Sequence, residues 1–383
     1  MNGLLVLEDG RFFRGGLFGD LNGGSGEVVF NTSFTGYQEI LTDPSYDQQM
    51  VVLTTSHVGN YGVNPEDVES SRPRAAGLIV RDYHPVPSNW RSSKSLGDYL
   101  SDANIPALYG VDTRALVLHL RTAGALRGVI RGIDAPEREH LPLAGYVSDL
   151  ADTDPLKAIL VEHEKTAQGI PSMAGSDLAG DVTTRESWCE GNPEARHHVV
   201  VMDFGLKRNI VRQLVQLDSH VTVVSAKTTA DEIMALKPDG VLLSNGPGDP
   251  EPVVYAVETI QELLGQVPIF GICLGHQLLG IACGGKTYKL LFGHRGGNHP
   301  VRELEGGVIE ITAQNHSFAL DPSSLNGREV AITHMNLNDD TVAGIRHKRF
   351  PAFSVQFHPE ASPGPHDSHH LFERFVGLME RHR

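Results

Sequence analysis

The sequence predicts an α/β protein of two domains joined by a connector. Three observations carry that prediction. The chain has 383 residues, more than one hydrophobic core usually serves. Its first part is rich in strand-type runs. From residue 197 onward, short apolar strands alternate with helices, which implies a parallel sheet covered on both faces. Ligands of such sheets bind beyond the carboxyl ends of the strands.

Residues 1–150 read as a strand-rich, mixed α/β domain. Apolar runs at 4–7 and 11–13 flank Glu8-Asp9-Gly10, and Asp-Gly between two such runs predicts a hairpin. Further β-type runs follow at 27–32, 49–55 and 77–80. Leu96, Tyr99 and Leu100 have helical spacing. Asp112 suits the N-cap of a helix through Leu120, with Gly124 as its stop, and residues 125–131 read as a closing strand. Residues 151–196 lose periodicity and gain Gly, Pro, Ser and Asp, so they read as a linker with one short helix near 155–163.

Residues 197–383 change rhythm. Strands are expected at 198–203, 221–225, 240–244, 267–272 and 353–357, and helices at 207–217, 253–264 and 274–282. Thr229 and Glu232 form a capping box for another helix reaching Leu236.

Composition narrows the function classes. Lys+Arg 32 against Asp+Glu 47 gives a net charge of −15, a poor basis for a nucleic-acid or anionic-membrane surface. Three cysteines without a CxxC pair fit neither a disulfide framework nor a zinc ribbon. No apolar run reaches the roughly 18 residues that span a bilayer, and the start lacks the pattern of a secretory signal. A soluble chain in the reducing cytoplasm is expected.

The most specific chemical signal is Gly271-Ile272-Cys273-Leu274-Gly275-His276-Gln277, placed between a strand and a helix. Glycines on both sides let the backbone turn sharply and present Cys273, as in the G-x-S-x-G nucleophile elbow. The helix N-terminus favours an ionised sulfur, and the Leu274 N–H is placed to receive an oxyanion. The alternative is a buried cysteine in a strand-to-helix joint. His358-Pro359-Glu360 follows a later strand. Residues i and i+2 of an extended segment share a side, so Glu360 can orient the His358 imidazole as a base. With 19 histidines in the chain, His358 gains weight only through that carboxylate and the elbow upstream. The loop Ser244-Asn245-Gly246-Pro247-Gly248-Asp249-Pro250 would share the same sheet edge, either as backbone donors for a ligand or as an ordinary turn.

Taken together, these three elements resemble the class I, triad-type glutamine amidotransferases over residues 197–383. The stretch 31–46, with 57–62, 292–300 and 358–367, resembles the small-chain family of carbamoyl-phosphate synthases, so the likeness covers nearly the whole chain. The resemblance implies a doubly wound, flavodoxin-like amidotransferase domain and an amino-terminal domain that docks on a large synthetase subunit. It implies hydrolysis of L-glutamine to glutamate and ammonia, with ammonia channelled to that subunit for carbamoyl phosphate in arginine and pyrimidine biosynthesis. It places ATP, Mg2+ and bicarbonate on the large subunit, no cofactor or metal in this chain, and a higher oligomer of small–large heterodimers.

Carried over by position, the resemblance makes Cys273 the nucleophile, His358 the general base and acid, and Glu360 its orienter. Glutamine contacts fall on Ser45, Gly246, Gly248, Leu274, Gln277, Asn315, Ser317 and Phe318. Two positions depart from the family pattern: Ser317 stands where glycine is usual, and Phe357 likewise precedes the histidine. Ser317 can still serve through its backbone if its φ is compatible.

Other signals favour plainer readings. Gly280-Ile281-Ala282-Cys283-Gly284-Gly285-Lys286-Thr287 fits a phosphate-loop pattern, but it ends a helix and enters a strand instead of opening a helix. The histidines at 294, 299, 366, 369 and 370 have no accompanying ligand pattern and read as surface or packing residues.

Overall fold

The computed structural model describes residues 2–133 and 141–382. The chain divides into two compact units, residues 1–172 and 173–383.

In the first unit, strands β1 (Asn2–Leu7) and β2 (Arg11–Gly19) pair antiparallel around Gly10, with Val6 opposite Phe12. Gly10 has φ 80°, the left-handed geometry a tight turn requires. Strand β3 (Gly24–Asn31) leads through helix α1 (Tyr37–Thr42) to β4 (Gln49–Leu53) and β5 (Gly77–Ile79). Helix α2 (Leu96–Asp102), capped by the Ser95 side chain, precedes β6 (Pro106–Tyr109). Helix α3 (Thr113–Ala123) carries the expected caps: Asp112 accepts from the Ala115 N–H, and Gly124 ends it at φ 97°. Strand β7 (Leu126–Ile133) follows, and β8 (Ala144–Tyr146) adds to β2.

The strand order β1-β7-β3-β4-β5-β6-β2, together with the β1–β2 pairing, closes seven strands into a barrel. One buried cluster takes a residue from every one of these strands, among them Leu5, Phe13, Val28, Met50, Ile79, Leu108 and Ile130. Neither the α1 helix nor β6 was apparent as periodicity in the sequence. The stretch 31–46 is fastened at its ends, because Asn31 Nδ2 donates to the Tyr46 hydroxyl at 2.8 Å.

The segment 151–196 is not the free connector its composition suggests. Helix α4 (Lys157–Gln168) is longer than expected and packs Leu160 with Leu4, Val6 and Phe12 of the first unit. Helix α5 (Leu178–Val182) and strand β9 (Trp188–Glu190) belong to the second unit, where β9 pairs antiparallel at the sheet edge. Burial of a few apolar side chains decides this, and Gly/Pro content does not report it.

The second unit is built on β10 (His197–Asp203), α6 (Arg208–Gln216), β11 (Ser219–Ser225), α7 (Ala230–Ala235), β12 (Gly240–Leu243), α8 (Val254–Leu263), β13 (Ile269–Ile272) and α9 (Leu274–Ala282). The Thr229–Glu232 capping box is formed in both directions. Strands β14 (Thr287–Glu303), β15 (Ile309–Leu320), β16 (Val330–Asn336), β17 (Val342–His347) and β18 (Ala352–Val355) come next, then helix α10 (His370–His382).

The parallel core runs β11-β10-β12-β13-β18, which in chain order is the 2-1-3-4-5 arrangement of a flavodoxin-like sheet. Successive residues of its strands face opposite cores. Val200 and Met202 pack with α7, α8 and α9, while Val199 and Val201 pack with α6 and α10. Beyond β18 the sheet continues antiparallel through β17, β16, β14 and β15. The Lys286-Thr287 pair lies where α9 has ended and β14 begins. Gly285 donates to the Gly280 carbonyl at 2.9 Å, the long-range bond of a Schellman closure, so this segment has strand geometry and no phosphate loop.

Candidate active site

Cys273 joins β13 to α9 with φ 53° and ψ −101°, an unusual conformation for a non-glycine residue and one that stores strain. The surroundings enforce it. A Cβ on Gly275 would stand 2.2 Å from the Leu243 carbonyl oxygen, and one on Gly271 would stand 2.7 Å from the Gly275 oxygen. Only glycines allow α9 to start this close to the sheet. The Cys273 N–H donates to the Val355 carbonyl at 2.9 Å, so the elbow is tied to β18. The side chain is 1% exposed, and its thiol donates to the Asn315 carbonyl at 3.4 Å. Leu274 is the first residue of α9, where backbone N–H groups point away from the helix.

Beyond β18 the backbone bends at Gln356 and Phe357, the His358 N–H donates to the Ala313 carbonyl at 2.9 Å, and a turn follows in which the Ala361 N–H donates to the His358 carbonyl at 3.1 Å. His358 Nδ1 and Glu360 Oε1 are 2.6 Å apart, so the two side chains meet as expected, but through a turn at Pro359-Glu360 and not by the alternation of an extended segment. His358 Nε2 is buried and has no partner at ordinary hydrogen-bond geometry. Burial alone would lower the pKa of this imidazole. The charge of Glu360 and the adjoining Cys273 sulfur outweigh burial and raise it. The structure thus brings Cys273, His358 and Glu360 together at the carboxyl edge of the sheet.

A fourth charge was not foreseen from the sequence. Lys207, 3% exposed, places Nζ 3.0 Å from Glu360 Oε1 and also donates to the Ala361 carbonyl. Burial pushes the Glu360 pKa up, but Lys207 first and His358 second pull it well below the usual carboxylate range. Lys207 is the N-cap residue of α6, at the end of the loop after β10 where the strand order reverses; a lysine after a strand is too common to single out by sequence. The same loop is bonded to the glycine-rich one: Asn245 Oδ1 accepts from the Lys207 N–H at 3.0 Å, and Asn245 Nδ2 donates to the Gly205 carbonyl at 2.9 Å.

His276, adjoining the elbow on α9, is fully buried, with Nδ1 2.9 Å from Ser354 Oγ. Burial first, and His334 second, lower its pKa to about 3, so it is neutral at physiological pH.

The remaining candidate residues divide by location. Gly246 lies against the elbow, since a Cβ there would meet the Phe204 oxygen at 2.1 Å and Leu274 Cδ2 at 2.9 Å. Gly248 has φ 89°, which suits glycine. Gln277 donates through Nε2 to the Phe318 carbonyl at 2.7 Å and to Gln356 Oε1 at 3.1 Å. Asn315, Ser317 and Phe318 lie on β15, and Arg295 Nη2 donates to Ser317 Oγ. Ser317 is not among the residues with positive φ, so serine occupies the position without backbone strain. Phe357 is fully buried and packs edge-on to His334 at 5.7 Å. Ser45 belongs to the first unit, buried in the turn Pro44–Tyr46, with its N–H donating to Asp43 Oδ1 at 2.9 Å.

No group of three metal-ligating side chains occurs among the described residues, and no helix among them is long and apolar enough to cross a membrane. A concavity of about 480 Å³ lined by Arg346, Lys348, Arg349 and Arg381 lies at the amino ends of β13 and β18, the edge away from Cys273. Concavity alone does not locate the chemistry.

Comparison with known proteins agrees with the division into units. The family described as carbamoyl-phosphate synthase small chain, CPSase domain, matches residues 5–130, and glutamine amidotransferase class-I matches residues 200–378. A carbamoyl phosphate synthase small chain from Syntrophotalea carbinolica is 53% identical over 100% of this chain and 99% of its own. One from Chlorobaculum tepidum is 53% identical over 99% of this chain and 98% of its own. The pyrimidine-specific small chain of Bacillus subtilis is 46% identical over 98% and 95%. With likeness at this level from end to end, the chain belongs to the carbamoyl phosphate synthase small chain family.

Proposed function

We propose that this chain is the glutamine-hydrolysing subunit of a glutamine-dependent carbamoyl-phosphate synthase, with Cys273, His358 and Glu360 as its catalytic triad. The observation that carries the reading is the buried His358–Glu360 pair, 2.6 Å apart, facing a cysteine at a strained helix entrance. The thiol gives its proton to His358 Nε2, and the thiolate attacks the carboxamide carbon of glutamine. The oxyanion receives hydrogen bonds from the Leu274 N–H and a loop N–H at Gly248. Imidazolium His358 protonates the leaving nitrogen, so ammonia departs and a γ-glutamyl thioester remains. Water, deprotonated by His358, adds to the thioester, and the sulfur leaves as glutamate is released.

Glutamine is held, in this reading, by Ser45, Gly246, Gly248, Leu274, Gln277, Asn315, Ser317 and Phe318. Because Gln277 Nε2 already serves Phe318 and Gln356, its Oε1 is the atom left for a substrate ammonium group. Ammonia passes to a large-chain partner, which carries the ATP, Mg2+ and bicarbonate chemistry, and the pair works in the cytoplasm within a higher oligomer. The carbamoyl phosphate made feeds arginine and pyrimidine synthesis.

The test is Cys273→Ala in the complex with the large chain. Glutamine-dependent carbamoyl phosphate formation is expected to vanish while synthesis from added ammonium persists. Glutamine-dependent turnover at the parent rate would refute the triad.

A further inference from the structure

The glutaminase reading leaves one side chain beside the sulfur without a role. Gln356, 1% exposed, directs its amide Nε2 at Cys273 Sγ, 3.8 Å away. The other end of that amide is held: Gln356 Oε1 accepts from Gln277 Nε2 at 3.1 Å. Gln277 is itself anchored, because the same nitrogen donates to the Phe318 carbonyl at 2.7 Å. An amide whose oxygen is engaged by a donor presents its NH2 group on the opposite side. The chain Phe318–Gln277–Gln356 therefore ends in N–H groups facing the sulfur.

Cys273 Sγ thus lies between two unlike partners. The Asn315 carbonyl, 3.4 Å away, can only accept, so it serves the neutral thiol. The Gln356 amide nitrogen can only donate, so it serves an ionised sulfur, which has no proton to give. When the proton moves from Sγ to His358 Nε2, the contact to Asn315 loses its hydrogen bond. The contact to Gln356 gains a charged acceptor and becomes the stronger kind of hydrogen bond. Burial of the whole group enlarges that gain, because little water is present to compete.

We propose that Gln356 is a catalytic residue of this site: its side-chain amide donates to the Cys273 sulfur and stabilises the thiolate, with Gln277 as the positioning residue that aims it. Gln356 exchanges no proton in this role. The proposal rests on the reading of Cys273 as the nucleophile.

The experiment follows the alkylation of Cys273 by iodoacetamide in the full chain across pH, read by mass spectrometry of its peptide. Glutamine hydrolysis by the complex is measured in parallel. Gln356→Leu is expected to move the alkylation profile about one unit to higher pH and lower kcat about tenfold, on the scale of one charge-assisted hydrogen bond. KM should change less than kcat. Gln277→Leu should give a smaller shift in the same direction. If Gln356→Leu does not fold, Gln356→Glu, of nearly equal volume, sets oxygens against the sulfur and should slow alkylation further. A folded Gln356 variant whose profile superimposes on the parent's overturns the proposal. The glutaminase reading fails separately, if Cys273→Ala retains glutamine hydrolysis.

Discussion

The ammonium group of Lys207 lies 3.0 Å from the carboxylate of Glu360, and both side chains are buried. The carboxylate that orients His358 is therefore held by a cation from another strand end. Imidazole, carboxylate and ammonium form one row leading away from Cys273, with Glu360 in the middle. Glu360 is shared by both neighbours, and removing Lys207 strips the buried carboxylate of its permanent cation.

Lys207→Met tests that dependence. Loss of one partner from a buried ion pair typically costs about 3–5 kcal/mol, most of it the penalty on the charge left behind. Urea denaturation should report a loss of that size, accompanied by slower glutamine hydrolysis. A variant within about 1 kcal/mol of the parent would mean that the pair does not form.

The strain at Cys273 has its own signature. A residue held in a sparsely populated backbone region costs about 1–3 kcal/mol, and glycine escapes most of it. Cys273→Gly should therefore be more stable than Cys273→Ala, although both lack hydrolysis. Equal unfolding midpoints would contradict the backbone geometry of the elbow.

Gly275→Ala should damage the site without touching a reacting atom. Its new Cβ would meet the Leu243 backbone oxygen at 2.2 Å, which no side-chain rotation relieves. The start of α9 must retreat, carrying the Leu274 N–H with it. We expect at least a tenfold loss of kcat, since oxyanion donors act only at close range. Assay of the folded variant decides, and parent-like turnover would show that the elbow tolerates displacement.

Acid should unfold this protein earlier than carboxylate titration alone requires. The pKa of His276 is lowered to about 3 and that of His334 to about 4, chiefly by burial, and burial takes His316 well below its ordinary value. A folded-state pKa below the unfolded value means stability present above about pH 6.5 and lost as pH falls towards the folded value. Between pH 7 and pH 5, His276 and His334 should each withdraw about 2 kcal/mol, and His316 acts in the same direction. Denaturant midpoints at the two pH values measure the sum; unchanged midpoints would show these histidines to be charged in the native state.

Much of this site was legible in the sequence because it rests on local rules. The strand–Gly–x–Cys–x–Gly–helix string specifies the elbow, and the His-x-Glu spacing pairs His358 with Glu360, although a turn and not an extended segment brings them together. The flavodoxin-like order could be read from alternating strands and helices. Lys207 was not legible, because a single lysine after a strand is usually solvated and only the fold brings it to Glu360. Nor was the Gln277–Gln356 contact, which joins side chains 79 positions apart. The packing of α4 escaped for the same reason: its anchor, Leu160, meets Leu4 and Phe12 from the far end of its unit.

The hydrogen bond from the Cys273 N–H to the Val355 carbonyl has a consequence for how such chains can diverge. The nucleophile is bonded to the end of β18, and the base follows three residues later at a separate bridge to Ala313 of β15, so their spacing is set by strand pairing and not by the intervening polypeptide. Insertions or deletions in the outer hairpin of β14 and β15, away from residues 313–318, should leave the reactive pair in register. A circularly permuted chain opened at Gly306-Gly307 should keep it as well.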